Sequence, residues 1–234
     1  GNGDCIVVCG EFSKIATSVG AAYDTTHAKH LAAFRVTNSV GAEVTPPTLV
    51  TTLWETTSGA SNRVDIGSYV RAVSVDMQSS AKHLYIGGDF TTVNGSTRTH
   101  LAKLTLSGGT YSLSGTWVPT LDSTAHVGGA NATTGENYWS WVSKIIVMPA
   151  HARVLIGGCW TSINGRGAAQ EKYLTAVDKT TGAVATWNTP INTGSGRIDA
   201  GGALGLISDF PVLDMVMATE SGTPYVYVAS DGTN

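Results

Sequence analysis

Short apolar runs recur along the chain, each bounded by Gly, Ser, Thr or Asn. VRAVSVDM (70–77), HLYIGG (83–88) and LAKLTL (101–106) alternate in places and are rich in Val, Ile, Leu and Tyr. That is the pattern of half-buried strands. Turn residues separate the runs: Ser79-Ser80, Asn94-Gly95, Ser107-Gly108-Gly109, Asn164-Gly165 and Thr181-Gly182. No segment long enough for a helix carries a helical period. The pattern predicts an all-β chain.

The runs also repeat. HLYIGGDFTTVNG (83–95) matches RVLIGGCWTSING (153–165) through thirteen positions, 70 residues apart. A looser copy is IVVCGEFSKI (6–15), and a fourth begins at YVYVASD (225–231). Ahead of the motif stand the runs 70–77, 142–148 and 212–218; behind it stand HLAAF (30–34), HLAKL (100–104) and YLTAV (173–177). Each unit then has a tryptophan: Trp54, Trp117 and Trp187. The units run approximately over 1–69, 70–141, 142–211 and, in part, 212–234. Four strands per unit at this period predict the four-stranded blades of a β-propeller. The chain is then a single propeller domain, or part of one, with about three to four blades. An open ring leaves unpaired edges, so the expectation is a fragment of a longer polypeptide or a ring that another chain completes.

Within the repeat, Gly87-Gly88 and Gly157-Gly158 end the second strand and suit a bulge or a backbone approach that a Cβ would block. Phe12, Phe90 and Trp160 fall at one matched position and read as aromatic plugs between neighbouring blades. Asn94-Gly95 and Asn164-Gly165 read as turn chemistry. Longer Gly/Ser/Thr-rich connections, such as 120–137 and 192–205, are where binding tends to sit on a rigid β frame.

The order of apolar strand, LYIGGxFTxVNG, Leu-Ala and a later Trp resembles the delta-60 class of β-propeller repeat. Residues 70–190 carry it clearly. The first unit departs from it with Cys9-Gly10 in place of Gly-Gly, and the last with Ala229-Ser230. Such repeats are similar to those of bacterial surface or secreted proteins and of minor tail proteins of phages that infect actinobacteria. The resemblance implies a non-enzymatic structural or binding module without cofactor. As a phage tail component it would sit in the virion tail, partner other tail proteins or further copies of itself, and contact the host surface. The alternatives are a secreted or surface-attached bacterial propeller that binds carbohydrate or protein, and a hydrolase on a propeller scaffold.

Composition narrows the field. Hydrophobic residues make up 42% and charged residues 13%, against roughly 25% charged in an average domain. With 28 glycines and a net charge of -3, the chain is neither disordered in type nor basic enough for phosphate binding. No apolar run approaches the length of a membrane helix. Cys5 and Cys9 on one strand are about 13 Å apart, too far for a disulfide. Either could pair with Cys159, but free, buried thiols are the expectation for all three.

Candidate chemistry is sparse. The sequence has no nucleophile elbow, phosphate loop, zinc helix motif or Cys-x-x-Cys pair. His27 and His30 are the close histidines, but His30 aligns with His100 and Tyr173, which marks a structural position. Asp65 and Asp199 lie in matched segments and read more readily as turn-closing or Arg-paired residues than as Ca²⁺ or sugar ligands. Tyr138, Trp139 and Trp141 form the one aromatic cluster. It reads either as a platform for sugar stacking or protein docking, or as core at the start of the next unit. Asn94 and Asn131 match the glycosylation acceptor pattern.

Overall fold

The computed structural model describes residues 4–16, 21–24, 29–51, 56–57, 61–62, 66–78, 81–121, 140–148, 151–160, 162–167, 174–185, 212–221 and 223–230. The protein is all-β, with antiparallel pairing throughout and no α-helix among these residues. No described sheet closes on itself.

The first sheet joins β1 (Cys5–Cys9), β4 (Leu31–Thr37) and β5 (Glu43–Leu49) in the order β1-β4-β5; the ribbon β2 (Ile15–Ala16) and β3 (Tyr23–Asp24) lies between β1 and β4 in sequence. A second ribbon, β6 (Thr56–Thr57) with β7 (Ser61–Asn62), follows. The second sheet has the order β13-β12-β9-β8, built from β8 (Val70–Asp76), β9 (His83–Gly88), β12 (Leu101–Ser107) and β13 (Thr110–Leu113); between β9 and β12 comes the ribbon β10 (Thr92–Val93) and β11 (Ser96–Thr97). In the third sheet β14 (Trp141–Met148), β15 (Arg153–Cys159) and β18 (Leu174–Asp178) pair in that order, with the ribbon β16 (Ser162–Ile163) and β17 (Arg166–Gly167) between β15 and β18. The fourth is the hairpin β19 (Val212–Glu220) and β20 (Thr223–Ser230).

Of the predicted four-stranded units, the second is complete. The third carries its fourth strand only as a bridge between Val177 and Val184, backed by the Ala185 amide on the Ala176 carbonyl. The described chain on that side runs only to Ala185. The first sheet has no strand beyond β1, and the hairpin has none beyond β20, among the described residues. The Asn-Gly ribbons β10–β11 and β16–β17 were expected as turns. They are true two-residue hairpins: Asn94 and Gly95 have φ of 50° and 72°, and Asn164 and Gly165 have 52° and 71°. Both central residues in the left-handed region define the turn that matches strand twist, which Asn-Gly adopts at least cost.

A bulge occurs at the same place in three first strands. The register shifts between Val70 and Ala72 opposite Gly88 and Gly87, between Val142 and Lys144 opposite Gly158 and Gly157, and between Val212 and Asp214 opposite Ser230 and Ala229. A Cβ on Gly88 would strike the Tyr69 carbonyl oxygen, and one on Gly158 would strike that of Trp141. These glycines let the bulged strand cross close to its partner.

Successive sheets pack face to face, and strand alternation decides which residues meet. Val7, Cys9, Leu31 and Ala33 of the first sheet meet Val70, Leu84, Ile86 and Leu104 of the second. The opposite face of the second sheet, with Ala72, Tyr85 and Leu101, meets Val142, Ile145, Val154 and Ile156 of the third. The far face of the third, with Leu155, Leu174 and Ala176, meets Val212 and Met215 of the hairpin. Each junction is thus one face of a sheet against the opposite face of the next.

Candidate functional site

The bulges place Arg71, Ser143 and Leu213 at equivalent points, where each first strand begins to run beside its neighbour. Arg71 makes the most contacts. Its Nε and Nη2 donate to the two oxygens of Asp89 at 2.6 and 2.7 Å. Glu11 of the first sheet's side lies 4.0 Å from the same guanidinium, and the Trp141 ring of the third sheet lies under it at 5.7 Å. The Asp89 hydrogen bonds outweigh partial burial and hold the Arg71 pKa above its ordinary value. One guanidinium therefore links three consecutive sheets at an exposed rim. A planar fork can bind a carboxylate edge-on and stack on an indole at once, which an ammonium cannot.

At the next rim position Ser143 replaces the cation. Its hydroxyl serves the carbonyls of Gly157 and Val212, at 3.1 and 2.5 Å, and so joins the third sheet to the hairpin. Lys144 reaches Asp214 at 2.8 Å beside it. Leu213, the third bulge residue, is exposed.

A second polar cluster lies between the second and third sheets. Asp76 is fully buried and pairs with Lys179 at 3.0 Å. The Lys179 carbonyl accepts both the Lys103 ammonium, at 2.9 Å, and the Tyr85 hydroxyl, at 3.2 Å. Lys103 also sits over the Tyr85 ring at 5.7 Å. Trp117 packs edge-on against Tyr85 at 5.2 Å, and its Nε1 donates to the Asp178 carbonyl at 3.0 Å. Burial pushes the Tyr85 pKa up and that of Lys103 down. Burial works against ionisation of Asp178, but the Thr181 and Thr180 amides and the Thr181 hydroxyl outweigh it and hold its pKa below the ordinary value. These contacts join the second sheet to the third and to the turn that follows β18, so the cluster acts as a clasp.

The sequence-selected residues fall as follows. Trp117, Phe90 and Trp160 are fully buried, Phe90 between the first and second sheets and Trp160 between the second and third. Phe12 is half-buried. His30 and His100 share a left-handed φ of 62° and 65°, and each ring Nδ1 lies on a carbonyl of its own sheet, Gly10 and Gly88. Asn164 does more than turn: it accepts from the Thr120 amide at 2.7 Å and donates to the Gly182 carbonyl at 3.1 Å. Trp141 is half-buried, covered on one side by Arg71 and packed on the other beside the third-sheet cluster. Trp54, Trp187, Tyr138, Trp139, Asn131, His27, Tyr173, Asp65 and Asp199 lie outside the described residues.

The three cysteines are free; Cys5 is exposed, Cys9 half-buried and Cys159 buried. The expectation of buried thiols holds for Cys159 and fails for Cys5, which starts the edge strand β1. Burial raises the Cys159 pKa to about 12. No group of three or more His, Cys, Asp or Glu side chains able to hold a metal occurs among the described residues.

Sequence reasoning missed both polar clusters. The signal for the clasp was Asp76, an acid inside an apolar strand run. The rim had none, because Arg71 and Asp89 are 18 residues apart and meet only through the bulge. No family model, curated protein or solved structure matches this chain.

Proposed function

We propose that the chain is a run of β-propeller blades that works as a non-enzymatic structural and binding module, and that it belongs to the tail of a phage. The observation that carries the propeller reading is the repeated junction. Gly87 receives Val142 and Ile145, and Gly157 receives Val212 and Met215, in the same geometry. The first strands β14 and β19 thereby lie against the second strands β9 and β15 of the preceding sheets, a stacking that repeats as the blades of a propeller do. The buried clasp supports a rigid scaffold, since Lys179 pairs with Asp76 and the Lys103 ammonium is held by a backbone carbonyl. The tail assignment rests on the repeat resemblance, with the low charge and the Thr/Gly-rich connections beside it. The half-buried Trp141 and the charged rim around Arg71 are the surface such a module would offer to a protein partner.

Imaging of the native material with its intact mass tests this reading. The expected result is sheets arranged radially about one axis, in symmetric copies on a tail. A linear stack of sheets would remove the propeller. A protein found on bacterial cell walls, with no particle attached, would remove the tail.

A further inference from the structure

The sheets stack on one backbone frame, yet their junctions differ in chemistry at a set of matched positions. Two residues before Cys9, Gly87 and Gly157, the second strand of each sheet pairs with the third: Val7 with Ala33, Tyr85 with Lys103 and Leu155 with Ala176. On the first strands Asp76, opposite His83, matches Met148, opposite Arg153. On the sheet that packs across the junction, Leu106 matches Lys179. Each has its amide on the carbonyl just ahead of its own second strand, that of Lys82 and that of Ala152.

Between the first and second sheets these positions are apolar: Val7, Ala33 and Leu106 share one cluster. Between the third sheet and the hairpin they are apolar again, with Met148, Leu155 and Ala176 packed among Val212, Met215, Val226 and Val228. Among the described residues, only the junction of the second and third sheets places ions there. Asp76 is 1% and Lys103 6% exposed. Asp76 meets Lys179 at 3.0 Å, and the Lys179 carbonyl holds the Lys103 ammonium at 2.9 Å. The flanking junctions show that the frame accepts an apolar set, so ions are not needed to fill it. A buried ion pair gains little over apolar residues of similar volume, because desolvation offsets its attraction, whereas burying one ion without the other is costly. What the ions add is discrimination.

We infer that the clasp fixes the order in which the sheets stack, by making wrong pairings of these faces bury an ion away from its partner. Sheets that share a strand register and a spacing position can exchange neighbours, within one chain or between two. Such misassembly is a characteristic failure of repeat proteins. If the third sheet received the first sheet's face, Lys179 would meet Val7 and Ala33, neither of which ionises. If the second sheet's face received the hairpin, Asp76 and Lys103 would be buried among Met215, Val226 and Val228. The two apolar junctions could substitute for each other, and the charged one between them refuses both. The inference rests on the stacked sheets and holds whether or not the chain serves in a tail.

A charge-free variant tests it: Asp76→Met, which repeats Met148, with Lys103→Met and Lys179→Met, which keep much of each side chain's length. Tyr85 stays, because its hydroxyl bonds a backbone carbonyl. Variant and wild type are unfolded in urea and refolded over a series of concentrations. Native mass spectrometry counts chains that have exchanged sheets, and hydrogen exchange in β9 and β15 reports wrong stacking within one chain. The expected result is a urea midpoint at least equal to that of the wild type, together with at least about tenfold more misassembled product at matched concentration. A variant that refolds as cleanly as the wild type overturns the inference, because the order is then set without the ions. A lower midpoint, or failure to fold, overturns it as well, by making the clasp a source of stability rather than of selection.

Discussion

Gly87→Ala tests whether neighbouring sheets are spaced by their glycines. The new methyl would lie 2.5 Å from Val142 Cγ1, 2.8 Å from its Cβ and 3.0 Å from Ile145 Cδ1. Carbon atoms settle at about 3.5–4.0 Å, so the third sheet must retreat by about 1 Å at that point. Val142 cannot rotate away, because it is β-branched, fully buried and beside the bulge. Overpacking of this kind costs about 1–3 kcal/mol. Loss of glycine's extra freedom in the unfolded chain returns about 0.4–1 kcal/mol, and Gly87 is not in the left-handed region. The net expectation is a loss of about 1–2 kcal/mol, read from the urea midpoint at constant m-value. Val142→Ala alone should cost about 2–3 kcal/mol through its cavity. In the double variant the methyl fills part of that cavity, so the two losses should fall short of their sum by about 1–2 kcal/mol. Strict additivity would refute the argument, since it would mean that the two side chains never meet.

Three further outcomes are expected. Asp76→Asn keeps the volume but strips Lys179 of its buried counter-charge, and should destabilise by about 1–3 kcal/mol; adding Lys179→Met should recover most of it in the same urea titration, and a neutral Asp76→Asn would dissolve the clasp. Asn164→Ala loses two hydrogen bonds and puts alanine at φ 52°, for about 2–4 kcal/mol, whereas Asn164→Gly, which removes only the bonds, should cost less; equal losses would show that the turn conformation is irrelevant. Titration with a thiol reagent at neutral pH should modify Cys5 quickly, Cys9 slowly and Cys159 only on unfolding, because a buried thiol with a pKa of about 12 supplies almost no thiolate; rapid loss of all three would contradict the packing of β15.

The strands were legible because alternation and turn chemistry are local. Asn94-Gly95 and Asn164-Gly165 announce their turns through two residues that tolerate a positive φ. The Gly-Gly pairs announced a close approach, though not that the two glycines serve different neighbours. Gly87 faces the next sheet's side chains, and Gly88 faces the carbonyl of its own sheet's bulged strand. The pairing depends on tertiary geometry, and only the residue type reaches the sequence. The same limit hid the rim. Arg71 sits in an apolar run that looks like any half-buried strand, and the bulge that turns it toward Asp89 and Trp141 has no residue signature on its own strand. The strand count was legible where the chain is described: the second unit has its four strands. Four runs per unit were visible, but whether the fourth run zips onto the third depends on pairing beyond the turn, and at Val177–Val184 it begins with a single bridge.

Departures from the repeat carry physical information of the same kind. Cys9 replaces the spacing glycine in the first sheet, and its side chain packs into the cluster shared with the second. That junction must therefore stand wider than the one at Gly87, where no side chain fits. Ala229 makes the same replacement on a face that is exposed in this chain. What reads along the chain as decay of a motif is, at Cys9, a change in what a junction between sheets must admit. Gly87 and Gly157 mark the two junctions that must be tight, and Cys9 marks one that accommodates a side chain.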